Sequence, residues 1–148
     1  MKLSKNLSLN EVTKSNTAMR NGIDNNPTAE HLKNLKTIAI EVFQPIREHF
    51  GVPIGVSSGY RSKELNNKIG GSRISEHCQG MAFDLDADIF GGVTNREVFE
   101  FIRDNLDFRQ LINEFDYSWV HVSFNKDDNK KQVLECFKKD GRTRYKII

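Results

Sequence analysis

The chemistry most easily read from this sequence lies in His77, Asp84 and His121. Two imidazoles and one carboxylate form a three-ligand set for catalytic zinc, with the fourth tetrahedral position left to water. His77 enters seven residues ahead of Asp84, and Gly80 between them lets the chain turn so that both side chains converge. Residue types alone leave a second reading open, in which each histidine is a surface or hydrogen-bonded core residue and Asp84 a turn or salt-bridge residue. His31 and His49 fall on the polar side of a long helical pattern and read as structural or surface residues. Cys78 and Cys136 have no C-x-x-C spacing, are too few for a disulfide framework and read as free thiols. Cys78 beside His77 offers two alternatives. As a Cys-His nucleophile it would leave Asp84 and His121 without a role, and as a fourth ligand it would close the site into structural zinc.

The elements that must position these residues follow from periodicity and punctuation. Thr28 can cap a helix in which Leu32, Leu35, Ala39, Val42, Phe43 and Ile46 recur at three- and four-residue spacing, with Pro45 expected to kink its last turn. Pro53 to Ser57 reads as a short strand, followed by Ser58-Gly59-Tyr60-Arg61-Ser62 and a brief helix over 63–69 stopped by Gly70-Gly71. Met81, Phe83 and Leu85 alternate with Ala82, Asp84 and Asp86, a strand with Asp84 turned from the apolar side. Thr94 and Glu97 form a capping box that opens a helix through Asp104. The runs 109–115 and 119–124 pair as a hairpin about Asp116-Tyr117-Ser118, and in the second of them His121 faces opposite to Val120, Val122 and Phe124. A further hairpin, 132–137 with 143–147, belongs at a sheet edge. Helices followed by hairpin-linked strands predict an α+β fold with an antiparallel sheet, helices on one side of it and the zinc site in a cleft on the sheet.

Composition bounds the function. A chain of 148 residues with 37% hydrophobic residues and ten Phe has material for one core, read as an N-terminal arm over 1–27 and a domain over 28–148. Lys plus Arg number 22 against 20 Asp plus Glu, scattered along the chain, which gives no basic stripe for nucleic acid. No apolar run reaches the roughly 20 residues needed to span a bilayer, and the start lacks the apolar stretch of a signal peptide. The expectation is therefore a monomer made in the cytoplasm, which reaches any substrate outside it through another factor.

The motifs Ser57-Ser58-Gly59-Tyr60-Arg61-Ser62, Ser75-Glu76-His77-Cys78-Gln79-Gly80-Met81-Ala82-Phe83-Asp84 and Trp119-Val120-His121 occur in this order. The pattern S-G-Y-R, S-x-H-x-x-G-x-A-x-D and W-x-H resembles that of the zinc D-Ala-D-Ala carboxypeptidases, over roughly residues 31–125. The likeness extends in particular to small peptidoglycan peptidases of bacteria and their phages. The resemblance implies that His77, Asp84 and His121 bind zinc, that Arg61 holds a carboxylate of a peptidoglycan stem peptide through a bidentate fork, and that Ser75 hydrogen-bonds near the metal or the substrate. It also implies that Gly59, Gly80 and Ala82 keep the walls close to a bound peptide.

One position departs from the family pattern. The acidic residue three places before the last zinc histidine is Ser118 here. The general base then falls to Glu114, at the end of the first hairpin strand, or to Asp116 in the turn, with Glu114 favoured because hairpin closure brings it opposite the His121 region. The implied reaction is metal-assisted hydrolysis of an amide without a covalent intermediate, in carboxypeptidase or endopeptidase fashion. The competing reading is a zinc-containing cell-wall peptide-binding module that has lost its base.

Overall fold

A computed structural model describes residues 1–148. The chain opens with a small ribbon of β1 (Lys2–Ser4) and β2 (Leu7–Ser8), then α1 (Leu9–Thr13) and α2 (Asn16–Arg20). Ser8 and Glu11 cap α1 reciprocally. Leu3, Leu7 and Val12 are buried in the same 22-residue core cluster as the rest of the chain, so these first residues are tied down by apolar packing.

The long helical pattern appears as α3 (Ala29–Ile38), capped by the Thr28 hydroxyl, a wide π-helical turn over Ala39–Phe43, and α4 (Gln44–Phe50). Pro45 has no N–H to offer the turn before it. The backbone absorbs this ahead of the proline by widening one turn, with the Gln44 N–H bonded to the Ala39 carbonyl five residues back. Leu35, Ile38, Ala39, Val42, Phe43 and Ile46 all face the core.

Six strands form the main sheet: β3 (Gly55–Ser58), β4 (Ala82–Asp86), β5 (Gln110–Glu114), β6 (Trp119–Ser123), β7 (Gln132–Lys139) and β8 (Arg142–Ile147), in the order β3-β4-β6-β5-β7-β8. Two further helices are α5 (Lys63–Lys68) and α6 (Asn95–Asn105), the latter opened by the Thr94–Glu97 capping box. Every strand pair is antiparallel except β5–β7. The exception follows from connectivity. Because β6 already occupies one side of β5, the chain leaving β6 crosses to the other side and starts β7 level with the beginning of β5, where Lys131 and Gln132 donate to the Phe108 and Arg109 carbonyls.

Strand alternation divides the sheet into two faces. Phe83, Leu85, Leu111, Val120 and Val122 pack into the main core with the helices. The opposite face carries two rows set by register. One is Asp84, His121, Ile112 and Leu134, and the other is Trp119, Glu114, Cys136 and Tyr145. Asp84 and His121 thus stand side by side on this face, with Glu114 in the neighbouring row between Trp119 and Cys136.

Gly59 has a different role from the one its motif implied. A side chain there would meet the Val12 carbonyl at 2.5 Å, so the glycine lets α1 close against the Ser58–Arg61 segment, away from the cleft. Gly80, at φ +73°, likewise faces α3: a Cβ would lie 2.5 Å from the His31 carbonyl.

Candidate metal centre

Asp84 and His121 are directly opposed on β4 and β6, which places their side chains on one face at adjacent positions. His77 comes from outside the sheet, on a 3-10 turn over Glu76–Gln79. Ser75 caps that turn, its hydroxyl accepting from the His77 N–H at 3.3 Å. The His77 ring donates from Nδ1 to the Gly59 carbonyl at 2.7 Å. A carbonyl can only accept, so this bond puts the ring proton on Nδ1 and leaves the Nε2 lone pair directed at the site.

The three side chains converge. His77 Nε2 lies 3.4 Å and His121 Nδ1 3.0 Å from the same Asp84 oxygen, and one donor atom from each residue falls within 4.8 Å of the others. Burial works against the Asp84 charge, but His77, when its ring also carries a proton on Nε2, acts by charge and hydrogen bond, and together with the hydrogen bond from His121 this outweighs burial and holds the carboxyl well below its usual range. For His121, burial opposes the charged form, while the bond to Asp84 and its negative charge raise the imidazole above its ordinary value. The donor set fits a zinc ion: two nitrogens and one oxygen, one imidazole oriented by a carbonyl behind it, and a cleft on the open side. Cys78 lies outside this cluster.

The cleft has a volume of about 930 Å³, and Arg61, Ser75, Glu114, His77, Asp84 and His121 all border it. Arg61 is half-buried, its backbone N–H is bonded to the His77 carbonyl, and its Nε is buried without a hydrogen-bond partner. No carboxylate of the chain pairs with it. The loop bearing it is braced by Asn25, whose amide donates to the Thr13 and Tyr60 carbonyls and accepts from the Ser62 N–H. Nothing in the sequence singled out Asn25, because a bracing amide has no spacing signature.

The two candidate bases occupy different environments. Glu114 is 8% exposed on the cleft side of β5, and burial raises its carboxyl above the usual value, against the opposing influence of the Cys136 thiol and the His121 charge. Asp116 is exposed in the hairpin turn and does not border the cleft. Phe115, Asp116 and Tyr117 all adopt left-handed backbone conformations, so the alternation of β5 ends at Glu114 and Asp116 does not share its face. Ser118 spends its hydroxyl on the Phe115 carbonyl at 2.7 Å. A third acidic residue, Glu76, borders the cleft but is paired with Arg109 at 3.4 Å. The other two histidines serve packing: His31 Nδ1 bonds the Tyr60 hydroxyl at 3.0 Å, and His49 stacks on Phe101 with centroids 4.1 Å apart.

The cleft wall formed by Leu134, Cys136, Thr143 and Tyr145 comes from the last hairpin. The sequence predicted the hairpin without its part in the cleft, since strand periodicity does not say which face meets a site.

No helix is long and apolar enough to cross a membrane. No curated protein sequence matches the chain. A family model described as peptidase M15 matches residues 5–123, a span that contains the Arg61 loop, the three converging metal-type ligands and both hairpin carboxylates. This chain therefore belongs to the peptidase M15 family, of the zinc D-Ala-D-Ala carboxypeptidase type.

Proposed function

We propose that the protein is a zinc-dependent peptidase that hydrolyses peptide bonds in the stem peptides of bacterial peptidoglycan. The observation that carries this reading is the convergence of His77, Asp84 and His121 in a cleft that also presents an unpaired guanidinium and a buried carboxylate. His77, Asp84 and His121 would hold the metal. When bound, zinc supplies Lewis acidity to the scissile carbonyl and favours ionisation of a water at neutral pH.

The chain's own residues supply the rest. Arg61 presents two parallel N–H donors to a carboxylate of the stem peptide, which fixes register as well as charge. Ser75 holds the His77 turn in place through the backbone bond described above. Glu114, raised by burial, accepts the proton of the attacking water and returns it to the leaving amine. Residues 28–148 constitute the peptidase unit in this reading, and residues 1–27 are an arm that braces the Arg61 loop through Asn25. The alternative of a non-catalytic peptide-binding module rests on Ser118. The buried carboxylate of Glu114 on the same cleft weighs against it.

Zinc-loaded protein should cleave a soluble stem peptide ending in D-Ala-D-Ala, should stop when a chelator is added, and should recover when zinc is restored. Absence of cleavage on every stem peptide and on purified peptidoglycan would give precedence to the binding module. Arg61→Lys keeps the charge but loses the fork, so KM should rise about tenfold to a hundredfold while zinc content and Tm stay unchanged. An equal fall in Tm would mark Arg61 as a structural residue instead.

A further inference from the structure

The near-neutral charge of the whole chain hides a segregation. Residues 124–148, which lie beyond the span matched by the family model, carry eight Lys and Arg against four Asp and Glu, a net +4. Since the whole chain is +2, residues 1–123 are net −2. The excess is displayed on the β7–β8 hairpin. β8 is the outermost strand of the sheet, exposed at all six residues, with no strand beyond it.

Alternation along β8 sorts its residues by face. Thr143 and Tyr145 border the cleft, and Ile147, in register with Leu134, follows on the same side. Arg142, Arg144 and Lys146 occupy the other side with Lys139 of β7; none of them forms an ion pair, and the one carboxylate on that face, Glu135, stands in register with Lys146 at the end of the row. The spacing along β8 is that of alternate strand residues, roughly 6–7 Å. This makes a short row of cations without ion pairs on the edge strand that borders the cleft, on the strand face turned away from it.

We propose that this row docks the protein onto an anionic phosphodiester polymer of the bacterial cell wall, of the teichoic acid type, and so holds the cleft beside its substrate. The inference rests on the peptidase reading, because a wall substrate is what brings such a polymer alongside the cleft. A flat lipid surface fits less well: the apolar residues Tyr145 and Ile147 lie on the opposite side of β8 from the cations, so one plane cannot engage both. The cations also guard an exposed edge against pairing with other chains, which accounts for their presence on an edge strand but not for the surplus of cations over the single carboxylate, Glu135, on that face.

The experiment is co-sedimentation with cell walls that retain teichoic acid and with the same walls stripped of it. The triple variant Arg142→Gln/Arg144→Gln/Lys146→Gln is compared with a charge-matched control, Lys5→Gln/Lys33→Gln/Lys36→Gln. The wild type and the control should bind intact walls, the hairpin variant should bind on the order of tenfold more weakly, and salt should abolish the difference. Cleavage of a soluble stem peptide by the zinc-loaded hairpin variant should be unchanged. Equal binding to stripped walls, equal loss in the control, or tighter binding to duplex DNA or to anionic vesicles than to intact walls would overturn the proposal. Loss of soluble-peptide cleavage in the wild type would instead overturn the peptidase reading, which separates the two failures.

Discussion

Glu114→Gln should bind zinc as the wild type does and lose between about a hundredfold and ten-thousandfold in the rate of stem-peptide hydrolysis. The amide keeps the size of the side chain and its place on β5 but cannot accept and return a proton. Glu114 forms no ion pair at contact distance and feels the His121 charge only from farther off, with Asp84 still bonded to that imidazole, so the swap strands no opposite charge and is a conservative test. Asp116→Asn, out in the turn, should change the rate by less than about threefold, within the range of ordinary exposed substitutions. The reverse pattern, measured as kcat on a soluble stem peptide with zinc content checked in each variant, would move the base to Asp116. Unchanged rates in both would remove the hairpin carboxylates from the mechanism.

How much of this site was legible in the sequence depended on the kind of signal. Asp84 and His121 showed themselves as polar residues in strands whose other faces were apolar, a period-of-two pattern that translates directly into a shared face once the strands pair. Glu114 was placed by the same logic, because hairpin closure sets register and register sets neighbours. Asp116 was harder: counting by twos along the chain puts it on the face of Glu114, but three successive left-handed residues break the count, and none of the three is a glycine that would have announced them. The parallel seam between β5 and β7 was hidden for a different reason. Hairpin signals report only local connections, whereas that pairing joins strands separated by β6 and a crossing loop. Gly59 and Gly80 were visible as glycines, yet whether they make room for a ligand or for a neighbouring helix is a fact of tertiary packing. The bracing by Asn25 and the charge segregation in the last hairpin carry no motif; the first needs hydrogen bonds across distant segments, and the second only becomes a surface when β8 is known to be an edge.

The metal itself gives the other large effect. The protein should purify with about one zinc per chain, and His77→Ala or His121→Ala should each lower zinc affinity by more than about a hundredfold, because a three-residue site that loses one donor has only two left to compete with water. The two variants should differ in stability. His77 is anchored behind the site by the Gly59 carbonyl and is buried, so its truncation opens a cavity and leaves that carbonyl unpaired, whereas His121 lies on a strand whose ladder survives the change. A fall in Tm that is larger for His77→Ala than for His121→Ala, with zinc lost in both, is the expected outcome by elemental analysis and thermal melting. Full zinc content in either variant would remove that histidine from the ligand set and with it the three-donor geometry on which the peptidase reading stands.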